Sequence, residues 1–276
     1  MFELPELVTL ARQISDTLAG KVVSRGTLGN SPHKFVSYNR GHEEFSTLAA
    51  GKVVGQARAR GRWLFVPLDP GYVLLCGELG GRLLYHAPGA SLPEKYHLWL
   101  TFADGSSLTA LTQMWGAMEL YAAGQEEERQ YVKGMRPTPV EASFTYDYFA
   151  GLVAELRAGA KRSVKALLTQ EQLLPGLGNA IAQDIMFRAG LHPRHALGEL
   201  DEQQLRALYG AIAGTVQSAI AGGGRDDELD LFGHPGGYRR LMDSRAAGQP
   251  CPSCGTVVEK LQYLGGACYV CPRCQR

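Results

Sequence analysis

Apolar positions change their spacing along this chain, and each change marks a different kind of element. Within residues 5–18, Leu7, Leu10, Ala11, Ile14 and Leu18 recur at helical intervals. Pro5 suits a first helical turn, and Glu3 and Glu6 carry the charge that a helix N-terminus favours. The spacing predicts an amphipathic helix near the start of the sequence. Between about 21 and 131 the pattern shifts to short β-type runs at 63–66, 72–75, 83–85, 97–102 and 118–121, separated by Gly, Pro and Asp-Gly turns. An antiparallel sandwich or barrel is expected there. Glu126 to Glu128, followed by Met135-Arg136-Pro137-Thr138-Pro139, reads as a linker, because like charges and closely spaced prolines disfavour packing. Helical spacing returns at 148–157, 163–169, 179–189 and 201–220, and Gly222-Gly223-Gly224 ends the last of these.

The expected class is therefore α+β and multidomain. Residues 1–134 form a β-sandwich with a leading helix, 135–232 a helical domain, and 233–276 a C-terminal piece too short and polar for a core of its own. No internal repeat is visible.

Composition narrows the class only a little. Apolar residues make up 45% of the chain and charged residues 20%, as in ordinary globular proteins. The longest apolar runs, 72–76 and 117–123, fall far short of the roughly 20 residues of a membrane span. No membrane partner is expected, and without an export-type N-terminus the cytoplasm is the expected location. The net charge of +1 says little about partners, but positive charge is concentrated locally. Residues 157–196 carry Arg157, Lys161, Arg162, Lys165, Arg188 and Arg194 against only Glu171 and Asp184.

Four of the six cysteines form two Cys-x-x-Cys pairs, Cys251/Cys254 and Cys271/Cys274, with 16 residues between the pairs. Two turns that each present two thiolates suit one tetrahedral zinc ion, so a single structural Zn²⁺ is expected. Cys268 is a possible competitor as a ligand, and Cys76, in a strand, is expected in the core. The segment 174–179, Leu-Pro-Gly-Leu-Gly-Asn, joins two helical patterns. Its glycines permit either a purely structural tight turn or a set of N–H groups facing a phosphate.

Several of these features occur together in one known family. Glu3-Leu4-Pro5-Glu6, Lys165 before Leu167-Leu168, the 175–179 turn running into Ala189-Gly190-Leu191-His192-Pro193, and the two Cys-Pro-x-Cys pairs resemble the formamidopyrimidine-DNA glycosylase and endonuclease VIII family over nearly the whole chain. The resemblance implies an N-terminal β-sandwich, a helix-two-turn-helix domain and a zinc finger, with damaged or distorted duplex DNA as partner and a monomeric protein. It further implies base removal, with AP-lyase strand cleavage, in base-excision repair.

The resemblance also locates departures. The family's nucleophile is an N-terminal proline amine followed by glutamate, and here that pair reads Phe2-Glu3. Glu3 matches the catalytic glutamate, although it also favours the helix start by its charge alone. The amine of Met1, one residue displaced, is the remaining terminal candidate. Arg62 stands at the family's strand lysine and cannot form a Schiff base, though it can bind phosphate. Gly266 replaces a finger arginine, Gly81 stands where methionine is common, and Gln113 and Trp115 occupy a loop that usually offers Arg and Phe. Lys165, Gly178 and Asn179 match residues that hold the DNA backbone. Two readings follow: a glycosylase that uses Glu3 with weakened or absent lyase activity, or a non-catalytic reader of abasic or distorted nucleic acid. A third retains the lyase through Met1, Lys34 or Lys52, with His33 near Lys34 in the sequence.

Overall fold

The computed structural model describes residues 1–29, 35–113, 115–157 and 162–276; His33, Lys34 and Lys161 lie outside them. The described residues form two compact units. One comprises Met1–Met135 with Gly222–Tyr238, the other Arg136–Ala221 with Arg239–Arg276.

The first unit begins with α1 (Leu4–Leu18), whose N-cap is Glu3. Glu3 and Glu6 form a reciprocal capping box in which the Glu6 carboxylate accepts the Glu3 backbone N–H at 2.8 Å. The strands that follow are β1 (Val23–Leu28), β2 (Val36–Ser37), β3 (Val53–Val54), β4 (Arg58–Arg60), β5 (Trp63–Asp69), β6 (Tyr72–Gly77), β7 (Gly81–His86), β8 (Leu98–Phe102), β9 (Ser107–Thr112) and β10 (Gly116–Ala122). They make a four-stranded sheet, β1-β8-β9-β7, and a six-stranded one, β2-β10-β6-β5-β3 with β4 on β5. Alternation along the strands sends Leu64, Val66 and Leu74 of one sheet and Leu83, Leu100 and Phe102 of the other into a single core. Phe2, Leu7, Leu10 and Ile14 join the same core, so the N-terminal segment is packed into the sandwich.

Two details depart from the sequence pattern. A helix, α2 (His42–Ala49), interrupts the strands; it buries only Phe45 and Ala49, too few apolar positions to show a helical period. Gly26 of β1 makes room for it, since a Cβ there would lie 2.8 Å from the Phe45 ring. The acidic stretch read as a linker is packed: Val132 is buried with Trp63, Phe65 and Leu75, and Glu127 pairs with Arg58 at 2.7 Å. Neighbouring arginines compensate the like charges that argued against packing.

Residues 222–238 belong to this unit. Leu231 is fully buried in the core, and its carbonyl accepts the N–H of Tyr85 at 2.8 Å. Arg225, 4% exposed, meets the equally buried Glu6 through Nε to Oε1 at 3.1 Å and Nη2 to Oε2 at 2.9 Å.

In the second unit are α3 (Tyr146–Arg157), α4 (Val164–Thr169), α5 (Asn179–Arg188) and α6 (Glu202–Ala221), packed through Phe149, Leu167, Ile181, Ile185, Ile212 and Val216. A hairpin of β11 (Glu259–Tyr263) and β12 (Gly266–Val270) turns at Leu264-Gly265, both in the left-handed region. Among the described residues no helix is long and apolar enough to cross a membrane.

Two substitutions test this packing. Gly77 faces Trp63 across β5 and β6, and a Cβ on Gly77 would lie 1.9 Å from the indole, whose ring also carries the Arg129 guanidinium at 4.4 Å. Gly77→Ala should destabilise the chain by about 3 kcal/mol in urea unfolding. Arg225→Met leaves the Glu6 carboxylate buried without its cation and should cost about 3–5 kcal/mol, part of which Glu6→Gln in the same chain recovers.

Candidate active site and metal centre

The backbone at position 2 follows from the burial of its side chain. Phe2 is 1% exposed, and its N–H donates to the Leu79 carbonyl at 2.7 Å. That nitrogen is an ordinary peptide amide, with no lone pair available for attack on a sugar. The chain runs back one further residue to Met1, which is held at both ends. Arg225 Nη2 donates to the Met1 carbonyl at 2.8 Å, and the Met1 amine pairs with Glu228 Oε1 at 2.9 Å.

Glu3, 5% exposed, caps α1 beside this network. Burial opposes the charge on Arg225, but the carboxylates of Glu3, Glu6 and Glu228 outweigh it and hold its pKa above the usual arginine value. Three carboxylates against one guanidinium and one amine leave the cluster with a single net negative charge. Arg225 and Glu228 were not legible as site residues in the sequence. The only signal was the run Arg225-Asp-Asp-Glu228 directly after Gly222-Gly223-Gly224, which reads simply as a helix stop.

Arg62 sits with Gly61 in the tight turn between β4 and β5, and Gly61 takes a φ of 60°. Its guanidinium pairs with Glu78 Oε2 at 3.2 Å and approaches the Met1 sulfur at 3.9 Å, so Arg62 shares the neighbourhood of Met1. Lys52 does not join them; it donates to the Pro70 carbonyl at 2.8 Å and lies over the Tyr72 ring. Gly81 has a positional requirement of its own. A Cβ there would sit 2.2 Å from the Leu111 carbonyl oxygen, which leaves no room for methionine on this backbone. Trp115 is 54% exposed and packs at a tilt of 44° against the exposed Phe35, with ring centroids 4.8 Å apart.

In the second unit, Lys165 is 1% exposed and donates to the Tyr263 carbonyl at 2.6 Å and the Gly266 carbonyl at 3.4 Å. Asn179, at the first turn of α5 after its N-cap Gly178, donates to the Ala267 carbonyl at 3.2 Å. The hairpin turn thus lies directly on both side chains. A Cβ on Gly266 would come within 3.2 Å of Asn179 Oδ1 and 3.4 Å of Lys165 Nζ. Glycine at that position lets the backbone itself make the contact.

Cys251, Cys254, Cys271 and Cys274 place their sulfurs within 4.8 Å of one another, and Cys268 lies outside the cluster. A tetrahedral zinc–thiolate site has sulfurs about 3.8 Å apart, and the pairs Cys251–Cys274 and Cys254–Cys271 stand at 3.9 and 3.4 Å. Four sulfurs this close do not share negative charge without a cation. Hydrogen bonds from Thr256 bring Cys254 down to about 6, while its hydrogen bond with Cys254 pushes Cys274 up to about 12. The donor set and spacing fit one structural zinc ion, which would tie the two knuckles at the base of the hairpin. Asp184, fully buried on α5, accepts the N–H groups of Leu241 and Met242 at 2.9–3.0 Å where the chain enters this region. Cys76 is a core thiol that burial pushes up to about 12.

Comparison with known proteins finds relatives that match this chain over its full length. The family model described as the formamidopyrimidine-DNA glycosylase N-terminal domain matches residues 1–118, and the one described as the formamidopyrimidine-DNA glycosylase H2TH domain matches 135–228. The formamidopyrimidine-DNA glycosylase of Moorella thermoacetica is 30% identical over 267 residues, 95% of each chain. That of Bacillus licheniformis is 28% identical over 280 residues, covering all of both chains. Among solved structures, Lactococcus lactis Fpg in complex with DNA containing an abasic site aligns at a TM-score of 0.86, with 24% identity and 99% of each chain covered. MutM (Fpg) from Thermus thermophilus aligns at 0.82, with 25% identity, covering 99% of this chain and 98% of that one. On fold, motifs and full-length similarity, the chain belongs to the formamidopyrimidine-DNA glycosylase family.

Proposed function

We propose that this chain is a base-excision-repair glycosylase that releases damaged bases from duplex DNA with Glu3 as its general acid–base group. The observation that carries the reading is the pairing at the head of α1. Glu3 is retained and buried beside Arg225, while position 2 presents a peptide N–H bonded to Leu79 instead of an amine. A carboxylate there can take a proton from water as the water oxygen bonds to C1′ and the C1′–N bond breaks. The same proton then passes to the departing base. A secondary-amine attack from position 2 has no atom to perform it, so strand cleavage by that route is lost or weakened.

In this reading the contacts to phosphate fall to Arg62, Gly178, Asn179 and Lys165. Arg62 brings a planar, permanently charged fork. Lys165 contributes with the donor capacity left beyond its two hairpin carbonyls, and the zinc-bound knuckles keep that hairpin in place. Each unit thus offers phosphate contacts preformed by its own packing.

The test is incubation of the protein with duplexes that carry oxidised guanine, an oxidised pyrimidine or an abasic site, with binding, base release and nicking read separately. Base release is expected, and Glu3→Gln should slow it by about 100-fold or more with duplex affinity unchanged. Release indifferent to Glu3→Gln would remove Glu3 from the chemistry. Tight binding with no release across the panel would make the protein a reader of damage instead.

A further inference from the structure

The outer face of the four-stranded sheet carries chemistry that base excision does not use. Leu83, Leu108 and Ala110 point into the sandwich core. Their strand neighbours therefore point away from it: Arg82, Leu84 and His86 on β7, Thr109 and Leu111 on β9. Pairing sets Arg82 beside Leu111 and Leu84 beside Thr109. An outward strand position is expected to be solvated, yet Thr109 is only 4% exposed. Its cover is the segment Ser91-Leu92-Pro93, which forms the other wall of a cavity of about 280 Å³ over these two strands.

The cavity has an apolar body and one charged end. Leu84, Leu92, Pro93 and Leu111 supply the apolar walls. His86 lies four residues along β7 from Arg82, about 13 Å away, and its Nε2 is 2.8 Å from Thr109 Oγ1. Burial holds its pKa below the usual histidine value, so it is neutral at pH 7. Among the described residues no carboxylate lines the cavity, and Arg82 supplies its one formal charge. Arg58, Arg60, Arg62 and Arg129 of the same unit each pair with a carboxylate. Among the described residues Arg82 has neither an ion pair nor a hydrogen bond through its side chain. It is exposed, so its guanidinium stands at the open end with all its donors uncommitted. A planar fork in that position fits a carboxylate.

We propose that this cavity binds a small organic acid, with the carboxylate on Arg82 and an apolar body against Leu84, Leu92 and Leu111. The volume lies just below the range of drug-sized ligand sites, roughly 300–1,000 Å³, which selects a compact acid. Inorganic phosphate would leave the apolar walls uncovered, and a neutral compound would leave Arg82 unused. None of the lining residues is among those assigned to DNA or to base release above, so the site is independent of them.

The probes are benzoate and octanoate, titrated into the full chain and followed through its backbone amides by heteronuclear NMR. Binding with a Kd of about 1 mM or tighter is expected, with shifts centred on 82–86 and 109–111. Octanamide, the same body without the charge, should bind about 10-fold more weakly or worse, and so should octanoate to Arg82→Gln. Arg82→Lys should keep part of the affinity. Ser91→Trp, at an exposed position of the covering segment, should fill the cavity and abolish binding while Arg82 remains. Positions 82 and 91 are both exposed, so each variant should melt close to the parent without ligand, and melts check this. No binding, equal affinity for octanoate and octanamide, or shifts away from β7 and β9 would overturn the inference. So would inorganic phosphate that binds as tightly as octanoate. Displacement of octanoate by a short undamaged duplex would also overturn it, by assigning the cavity to the DNA surface. Base release from oxidised duplexes is read separately, and its outcome does not bear on the acid site.

Discussion

A buried guanidinium needs acceptors for its donors, and Arg225 finds them in three places: both oxygens of Glu6, the carbonyl of Met1, and Glu228. Few interactions in the first unit constrain so much with one side chain. Glu6 is already the N3 residue of the capping box that starts α1, so the ion pair ties the helix start to a segment more than 200 residues later in the chain. Burying the pair costs several kcal/mol of desolvation per ion, which only a full set of hydrogen bonds offsets. That requirement makes the arrangement specific. A shift of either segment by one residue would strand a charge, so the geometry around Met1 and Glu3 is held by an energetic penalty against alternatives more than by net stabilisation.

The second unit solves a similar problem with different chemistry. Its hairpin has few apolar side chains to bury, and two of its anchors are polar: Lys165 on the carbonyls of Tyr263 and Gly266, and Asn179 on that of Ala267. The third anchor is the four-thiol cluster at the hairpin base. Where the family resemblance implies an arginine reaching out from the hairpin, Gly266 instead lets the backbone settle onto the helices. The consequence is a hairpin whose position depends on Lys165, and a Lys165 with fewer free donors than an exposed phosphate-binding lysine.

The sequence made some of this legible and hid the rest for identifiable reasons. The periodicities of α1, β5, β6, β8 and the helices of the second unit each reflect a single buried face repeated over several residues, and so they show in the order of amino acids. The two Cys-x-x-Cys pairs were equally plain, because ligand spacing is local. Helix α2 was not, since its buried pair Phe45 and Ala49 is shorter than a detectable period. The packing of Val132 was masked by the acidic residues before it, whose partners Arg58 and Arg60 are distant in sequence. At the site, Glu3 could be read because its motif is contiguous. Arg225 and Glu228 could not, because their role exists only once 222–238 folds back onto α1.

The residue at position 2 accounts for why these hidden groups matter. Phenylalanine there is drawn into the sandwich core, and with its N–H on Leu79 the direction of the chain is set. Met1 is consequently held outside the core, about 3.8 Å along the backbone. Glu228 holds it at the nitrogen and Arg225 at the carbonyl, while Gly80 keeps the space beside it open. Phe2, Gly80, Arg225 and Glu228 therefore form one dependent set. Phenylalanine at position 2 without the pair from 222–238 leaves Met1 unplaced, and the pair without phenylalanine has no displaced residue to hold. Changes at position 2 in this fold are best understood together with residues 225 and 228.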